Sequence, residues 1–178
     1  MGRAGVDTDH MKALIRDVAD FPGPGIVFKD ITPLLGDGAA WSAAVTALAG
    51  LIEPLEPTKI LGIEARGFLV GAPVAHELGL GFVPVRKPGK LPWHVTTVSY
   101  SLEYGQDSLE MHVDGVGEGE RIVIVDDVLA TGGTAAATVE LARRGGADVV
   151  GLAFLLELGF LAGRQRLPGQ NVHALLEY

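Results

Sequence analysis

The stretch that most constrains this chain runs from Arg121 to Ala137, with the sequence RIVIVDDVLATGGTAAA. Four consecutive β-branched residues at 122–125 predict a short strand buried on both faces, which is typical of a parallel sheet covered by helices. Two carboxylates, Asp126 and Asp127, follow this run, and after them come a glycine turn and an alanine-rich helix start. Because open α/β sheets bind ligands at the carboxyl ends of their strands, the stretch predicts a ligand site.

The glycine turn has the composition of an anion site. Paired glycines let several backbone N–H groups approach an anion, threonines add hydroxyl donors, and the helix behind contributes its positive end. The two acids before the turn suit a polyol or a hydrated Mg²⁺. No lysine follows the glycines as a Walker loop requires, and the dinucleotide fingerprint GxGxxG is absent. The alternative is an ordinary strand–turn–helix, which the order of acids, turn and helix disfavours. The turn comprises Ala130, Thr131, Gly132, Gly133 and Thr134.

The charge distribution excludes some partners and suggests others. A net charge of −8 argues against a general nucleic-acid binder, since phosphate backbones require basic faces. Even so, Arg86, Lys87 and Lys90 fall within one five-residue window just after a predicted strand, where they could contact a small anion. The chain has no cysteine, which excludes disulfides and thiolate metal sites. The apolar stretch 151–163 is too short to span a bilayer, and no signal-peptide pattern is present, so we expect a cytoplasmic protein without a membrane partner.

At 178 residues the chain predicts a single domain, 1–178. Strands alternate with helices from residue 59 onward, which predicts an α/β fold with a mostly parallel twisted sheet flanked by helices. The predicted strands are 59–63, 82–85, 122–125, 149–156 and 172–176. The predicted helices start at Thr8 or Asp9 and continue through Val18, start at Asp37, and cover about 68–78 and 134–144, with a helical turn within 161–168.

Two segments lie outside this alternation. Prolines and glycines in the segment 21–35 predict a structured loop. After the basic window, the stretch 93–97 is expected to continue as loop, and SYSLEY at 99–104 and SLEMHV at 108–113 predict a β-hairpin. Together, about 86–113 are expected to form a flexible flap.

Three single residues each allow a functional and a structural interpretation. Phe28 could stack on a flat base or simply fill the core. Arg66, after the strand 59–63, could clamp an anion in the same crevice as Asp126, or form a surface ion pair with Glu64. Glu103, at the hairpin tip, could be a solvated carboxylate or a catalytic one. The five histidines show no metal-ligand spacing, and no nucleophile motif suggests covalent catalysis.

The stretch VIVDDVLATGGT resembles the phosphoribosyl pyrophosphate signature of the type I phosphoribosyltransferases. Five further segments, GIVFKDITPLL, GIEARGF, RKPGKLP, SYSLEYG and LEMH, occur in the order typical of the adenine-specific branch of that family, over roughly residues 8–178. The resemblance implies a glycosyltransferase that joins phosphoribosyl pyrophosphate to adenine, giving AMP and pyrophosphate in purine salvage. It also implies a homodimer, a cis peptide near Glu64–Ala65, and Mg²⁺ bound through pyrophosphate, ribose and water near Asp126 and Asp127, with no direct protein ligand.

The same resemblance implies roles for single residues. The segment of about 8–35 would form a small N-terminal hood that binds the base. Glu103 would be the catalytic carboxylate, and Arg86 would be contributed by the neighbouring subunit. Lys29 stands where many members have arginine, which keeps the charge but not bidentate geometry. Adenine would be held by Val27 and Phe28, pyrophosphate by Arg66, Lys87 and Lys90, ribose by Asp126 and Asp127, and the 5′-phosphate by Ala130, Thr131, Gly132, Gly133 and Thr134.

Two other functions remain open at this point. One is a regulatory module that binds phosphoribosyl pyrophosphate, although such proteins usually add a DNA-binding domain or a basic face. The other is a transferase for hypoxanthine, guanine, xanthine or orotate. Those families resemble this chain at residues 122–134 but not at SLEYG or GIVFKD.

Overall fold

The computed structural model describes residues 7–102 and 105–178. Short 3₁₀ turns lie at Glu53–Leu55, Gly159–Leu161 and Gly163–Arg166. The helices are α1 (Thr8–Ala13), α2 (Thr32–Gly36), α3 (Gly38–Ile52), α4 (Arg66–Glu77) and α5 (Gly133–Arg144). The strands are β1 (Arg16–Ala19), β2 (Val27–Asp30), β3 (Lys59–Ile63), β4 (Gly81–Val85), β5 (Val95–Leu102), β6 (Gly105–His112), β7 (Arg121–Leu129), β8 (Asp148–Glu157) and β9 (Val172–Glu177).

The central sheet has parallel strands in the order β4-β3-β7-β8-β9 within the described residues. The chain moves outward from β3 to β4 and then returns to the other side of β3 to form β7. The strand order therefore reverses between β3 and β7, and ligands of open α/β sheets bind at such a reversal, outside the carboxyl ends of the strands. The predicted α/β class with a parallel sheet is confirmed.

Alternate residues of the sheet enter two separate hydrophobic cores. Val123 and Val125 pack in the core that holds α3 and α4, whereas Ile122 and Ile124 pack in the core that holds α5 and the hairpin β5–β6. All four side chains are fully buried. Because successive side chains of a strand point to opposite faces, a strand covered on both faces must be apolar throughout. The β-branched run at 122–125 has this composition for that reason.

The N-terminal segment differs from the sequence prediction. Asp7 caps α1 in place of Thr8 or Asp9, and the helix ends at Ala13, so Val18 lies on β1 instead. β1 pairs antiparallel with β2, which lies inside the segment 21–35 that was predicted to be loop. Two four-residue strands are too short to show periodicity in a sequence. Their pairing becomes evident only when both are placed side by side.

Two other strands are longer than predicted. β7 continues to Leu129, so Asp126 and Asp127 lie within the strand and not after it, and the pairing with β8 extends as far as Leu129↔Glu157. β5 begins at Val95, so part of the segment 93–97 belongs to the hairpin and not to the loop before it. In both cases hydrogen bonds to a neighbouring strand extend an element past the end of its apolar pattern.

Asp37 caps α3 as predicted, accepting hydrogen bonds from the N–H groups of Ala39 and Ala40 at 3.1 and 2.9 Å. By length and composition alone, the stretch Gly38–Leu55 could cross a membrane, a test that buried core helices also pass. In the fold, α3 packs against α4 and β8 and buries residues such as Leu48 and Ile52 in the first core. Part of its apolar surface is therefore packed within the chain, whereas Leu51 is exposed.

Candidate active site

The carboxyl ends of β3 and β7 border a cavity of about 390 Å³. A smaller cavity of about 80 Å³ lies in the turn before α5 and shares four lining residues with the larger one, so the two form one crevice. This crevice lies where the strand order reverses between β3 and β7. The larger cavity is lined by Ile26, Val27, Phe28, Lys29, Ile63, Glu64, Ala65, Arg66, Lys87, Asp126, Asp127, Val128, Ala130, Thr134, Leu158 and Leu161, and the smaller one additionally by Thr131, Gly132 and Gly133.

Asp126 and Asp127 form an adjacent pair of carboxylates at the bottom of the crevice. Asp127 is 4% exposed, and its Oδ2 lies 2.9 Å from Nε of Arg66. Burial raises the pKa of Asp126 well above its ordinary value, and the charge of Asp127 raises it further. Burial also raises the pKa of Asp127, although the Arg66 guanidinium opposes this shift. Carboxyls with raised pKa in a cleft are typical of functional sites, where a ligand or cation compensates the buried charge.

Arg66 connects the two sides of the crevice. Its guanidinium lies over the ring of Phe28, 4.8 Å from the ring centroid, while Nε faces Asp127. In the described part of the chain, Nη1 of Arg66 and Oδ2 of Asp127 are buried without a hydrogen-bond partner, although Oδ2 makes the ion pair with Nε. Unsatisfied polar atoms at a cavity are available to a polar ligand. A surface ion pair of Arg66 with Glu64 does not form, so that alternative is wrong.

The glycine turn is packed tightly against the segment 163–166. Gly132 has φ = +80° and caps α5, and a Cβ there would lie 2.3 Å from the carbonyl oxygen of Gly163. A Cβ on Gly163 would in turn lie 2.2 Å from the carbonyl oxygen of Ala130. Only glycine fits these two positions. The turn is therefore held against a rigid support, with the first turn of α5 bordering the smaller cavity.

The basic window is arranged around a carboxylate of the chain itself. Glu64, at the end of β3, forms ion pairs with Arg86 at 3.3 Å and with Lys90, and it accepts the N–H of Lys87 at 2.9 Å. Although burial acts to raise it, the hydrogen bonds from Lys90 and Lys87 hold the pKa of Glu64 below its ordinary value. Arg86 and Lys90 thus pair with Glu64, whereas the ammonium of Lys87 pairs with Asp107, and Lys87 lines the larger cavity.

An apolar wall lies on the side of β2. Phe28 makes an edge-to-face contact with Phe21, with ring centroids 5.2 Å apart, and it borders the cavity together with Val27. The ammonium of Lys29 lies 2.6 Å from Asp17 Oδ1 and 4.1 Å from the ring centroid of Tyr178. The charge of Lys29 is therefore engaged by these two residues, even though its side chain contributes to the lining.

Sequence reasoning missed several residues of this crevice. Leu158 and Leu161 line the cavity, but in the sequence they are indistinguishable from core leucines. Tyr100 and Asp107 contact Lys87 from the hairpin, and no motif or spacing marks them. The peptide bond Glu64–Ala65 is cis, as the resemblance implied. Glu103, the predicted catalytic carboxylate, lies outside the described residues.

Comparison with known proteins identifies the family. A model of the phosphoribosyl transferase domain matches residues 38–167. The adenine phosphoribosyltransferase of Desulfitobacterium hafniense is 57% identical to this chain over 94% of its residues and 100% of the relative's length. This chain belongs to the adenine phosphoribosyltransferase family.

Solved structures of family members have the same fold. The adenine phosphoribosyltransferase of Thermoanaerobacter pseudethanolicus superposes with a TM-score of 0.94 at 50% identity, covering 96% of this chain and 99% of the other. The adenine phosphoribosyltransferase of Saccharomyces cerevisiae, solved with adenine and an imino-altritol bisphosphate, gives 0.87 at 38% identity, covering 92% and 95%. The type I phosphoribosyltransferase fold that the sequence resemblance implied is therefore confirmed.

Proposed function

We propose that this chain transfers the 5-phosphoribosyl group of phosphoribosyl pyrophosphate to adenine, giving AMP and pyrophosphate in purine salvage. The observation that carries the proposal is the single crevice that joins an adjacent carboxylate pair, a glycine turn at a helix start and the ring of Phe28. These three parts match the chemical parts of the product: a furanose diol, a phosphate and a flat base. The adenine phosphoribosyltransferase relatives support the same reaction.

Asp126 and Asp127 are assigned to the ribose. A carboxylate can accept hydrogen bonds from the two hydroxyls of a diol. Such hydrogen bonds would compensate the free-energy cost of burying these two acids. The 5′-phosphate is assigned to the turn that follows, whose N–H groups and hydroxyls border the smaller cavity. The residues of this phosphate site are Ala130, Thr131, Gly132, Gly133 and Thr134.

The pyrophosphate group is assigned to Arg66, Lys87 and Lys90. Arg66 offers a buried Nη1 without a partner, and Lys87 lines the same cavity. Lys90 and Arg86 are paired with Glu64 at the edge of the crevice, close enough to join when a more highly charged anion enters. In a homodimer, which is part of this proposal, Arg86 would act in the site of the neighbouring subunit. Sedimentation at several concentrations tests the dimer.

The base is assigned to the apolar wall of β2. Phe28 would stack on adenine and the main chain of Val27 would read its edge, with Lys29 in the lining beside them. The segment of about 8–35 would thus act as the hood of a single domain, and about 86–113 as its flap. We further assign the protein to the cytoplasm, with no nucleic-acid or membrane partner.

Mg²⁺ belongs to this proposal, and the residues present fit it. No group of three or more metal-ligating side chains occurs within residues 7–102 and 105–178, so a cage made by the protein alone is not available. Asp126 and Asp127, the latter with an unpartnered Oδ2, would hold a hydrated ion through its water molecules, while pyrophosphate and ribose would supply its other ligands. When bound, Mg²⁺ neutralises charge that develops on the leaving pyrophosphate.

The reaction breaks the bond between ribose C1 and a pyrophosphate oxygen and forms a bond from adenine N9 to C1, with inversion. Arg66, Lys87 and Lys90 stabilise the negative charge on the departing group, and Asp126 and Asp127 offset the positive charge that builds on the ribose. The N9 proton leaves to a base, and we assign this role to Glu103. Closure of the loop 86–97 would exclude water, since hydrolysis is the competing reaction.

Pyrophosphate release tests the function directly. The protein is mixed with Mg²⁺ and phosphoribosyl pyrophosphate, and adenine, hypoxanthine, guanine, xanthine and orotate are added in separate reactions. We expect release with adenine, and a reaction without base measures hydrolysis as the control. Release with an oxo-purine or orotate but not adenine would contradict the base assignment. Binding of phosphoribosyl pyrophosphate without release with any base would point to a regulatory module instead. Glu103→Gln is expected to lower turnover more than affinity.

A further inference from the structure

Two residues of the hairpin hold the ammonium of Lys87 within the crevice. Asp107 pairs with it through Oδ2, and the hydroxyl of Tyr100 lies 3.3 Å from its Nζ. Tyr100 and Asp107 are directly opposite each other in the register of β5 and β6, and the Tyr100 hydroxyl is also 3.3 Å from Asp107 Oδ2. The ammonium, the hydroxyl and the carboxylate therefore form a closed set of contacts.

The same hairpin pair reaches the glycine turn. The hydroxyl of Tyr100 lies 3.4 Å from Oγ1 of Thr134, and both Thr134 and Lys87 line the larger cavity. The hairpin thus connects the basic window with the turn before α5 across the crevice. A ligand with anionic groups at both ends, as the proposed substrate has, would meet Tyr100 and Asp107 between its two ends.

Asp107 carries a negative charge where the proposed ligand is also negative. Hydrogen bonds from Lys87, and then from Ser108 and Tyr100, outweigh burial and hold the pKa of Asp107 below its ordinary value. Its carboxylate is therefore ionised at neutral pH and directed at Lys87. An oxygen of a pyrophosphate group would need the same ammonium, and two anions that share one cation repel each other.

We propose that the carboxylate of Asp107 is an internal counter-ion of Lys87 that is displaced when a pyrophosphate group binds and so lowers the affinity of the site for pyrophosphate. The proposal rests on the proposed function, since it takes Lys87 as a pyrophosphate contact. The pair is suited to exchange because both side chains are partly exposed, 36% for Lys87 and 27% for Asp107, and such ion pairs separate at low cost. Asp107 thus weakens binding of substrate and product alike and favours release of pyrophosphate.

The test compares Asp107→Asn with Asp114→Asn. Asp114 is exposed in the turn after β6, so this control removes one negative charge from the same region and leaves Lys87 untouched. Binding of pyrophosphate in the presence of Mg²⁺ is measured by calorimetry, and the KM for phosphoribosyl pyrophosphate by pyrophosphate release. We expect Asp107→Asn to bind pyrophosphate about three- to fivefold more tightly and to lower the KM similarly, because a partly exposed pair contributes that much. Asp114→Asn should change either value less than twofold.

A double-mutant cycle with Lys87→Gln separates this inference from the function itself. Lys87→Gln should weaken pyrophosphate binding, and Asp107→Asn should have no further effect in that background, because the two residues act through one contact. Weaker or unchanged binding by Asp107→Asn would overturn the inference, since a residue that merely positions Lys87 would lower affinity when changed. If the asparagine variant does not fold, Asp107→Ser can be used instead, with the same expected increase in pyrophosphate affinity. Failure of wild-type protein to release pyrophosphate with any base would instead contradict the proposed function.

Discussion

Asp126 shows at the scale of one residue how a binding site can oppose stability. Its carboxylate is buried beside the charge of Asp127, and both factors raise its pKa. Without ligand, ionising such a group costs free energy that a bound diol or cation would offset. Its Oδ1 also accepts the N–H of Asp127 at 2.9 Å, which an amide oxygen could equally do.

We therefore predict that Asp126→Asn stabilises the ligand-free protein by about 1–2 kcal/mol at neutral pH while it reduces turnover strongly. A raised pKa means that the contribution of Asp126 to stability is fully present below its unfolded value of 3.8 and is lost as pH rises through the folded value. The difference in free energy of unfolding between Asp126→Asn and wild type should hence be small near pH 4 and grow toward pH 8. Urea unfolding at several pH values measures it.

Asp148→Asn is the matched control, because Asp148 is exposed and lies at the opposite end of the sheet, at the start of β8. It should leave both stability and turnover within a small margin of wild type. A destabilised Asp126→Asn protein at pH 8 would contradict the argument, since it would mean that the ionised carboxylate contributes favourably in the free state.

At the scale of elements, the glycine turn depends on the segment packed behind it. Gly132 has a positive φ and faces the carbonyl of Gly163. A Cβ on Gly133 would instead approach the flexible end of Arg166 at 3.1 Å and make an ordinary contact with Tyr100 at 3.9 Å. The two neighbouring glycines thus differ in what they tolerate. Backbone strain and a clash with backbone act together at the first, and neither acts at the second.

We predict that Gly132→Ala lowers the free energy of unfolding by about 2 kcal/mol or more and abolishes turnover. Gly133→Ala serves as the matched comparison. It should change stability by less than about 1 kcal/mol, because alanine is favourable in a helix and Arg166 can move aside. Chemical denaturation of both variants and of wild type measures these free energies of unfolding. Equal losses in both variants would show that the packing against Gly163 is not what restricts the turn.

The supporting segment is itself held by an ion pair between a buried carboxylate and an exposed arginine. Glu157, at the end of β8, is 6% exposed and accepts hydrogen bonds from Arg164 at 2.7 and 2.9 Å, while Arg164 also donates to the carbonyl of Val172 at 2.8 Å. This fork fixes the 3₁₀ turns that carry Leu161 and Gly163. Arg164 is therefore expected to position the glycine turn without touching the substrate.

We predict that Arg164→Lys, which keeps the charge but loses the fork, raises the KM for phosphoribosyl pyrophosphate more than it lowers kcat. The free energy of unfolding of Arg164→Lys should fall by about 1–2 kcal/mol. That of Arg164→Met should fall further, because Glu157 would be left buried without a partner. Arg143→Lys, on the exposed side of α5, is the control. An unchanged KM in a folded Arg164→Lys protein would limit Arg164 to a role in stability.

At the scale of the whole molecule, the site joins parts of the fold that are far apart in the chain. Its walls come from β2, from the ends of β3 and β7, from the basic window and from the segment after β8. A ligand that contacts all of these parts binds the folded state alone and stabilises it by mass action.

We predict that phosphoribosyl pyrophosphate with Mg²⁺, at a hundredfold excess over its Kd, stabilises the protein by about 2.7 kcal/mol. The thermal midpoint should rise accordingly, and a chelator should remove most of the increase. Inorganic phosphate at the same concentration is the control, since it can occupy only one part of the crevice. A midpoint that does not respond to the chelator would contradict the role assigned to Mg²⁺.

The sequence by itself determined the features whose signal is local. The apolar run at 122–125 requires that both faces of the strand be covered. The acids and glycines that follow it, in that order at the end of a buried strand, indicate a ligand site. Strands and helices from residue 59 onward follow from periodicity, and the single acid before α3 follows from capping chemistry. These patterns sufficed for the α/β class, for the position of the crevice and for most of its polar residues.

Only the tertiary structure decided which of those residues meet. The partner of Arg66 is Asp127 and not the nearby Glu64, which instead pairs with Arg86 and Lys90 of the basic window. The support of Gly132 by Gly163 and the contact of Asp107 with Lys87 have no trace in the sequence. The physical reason is that such contacts depend on strand register and on the packing of distant segments, whereas periodicity and capping depend on neighbours along the chain.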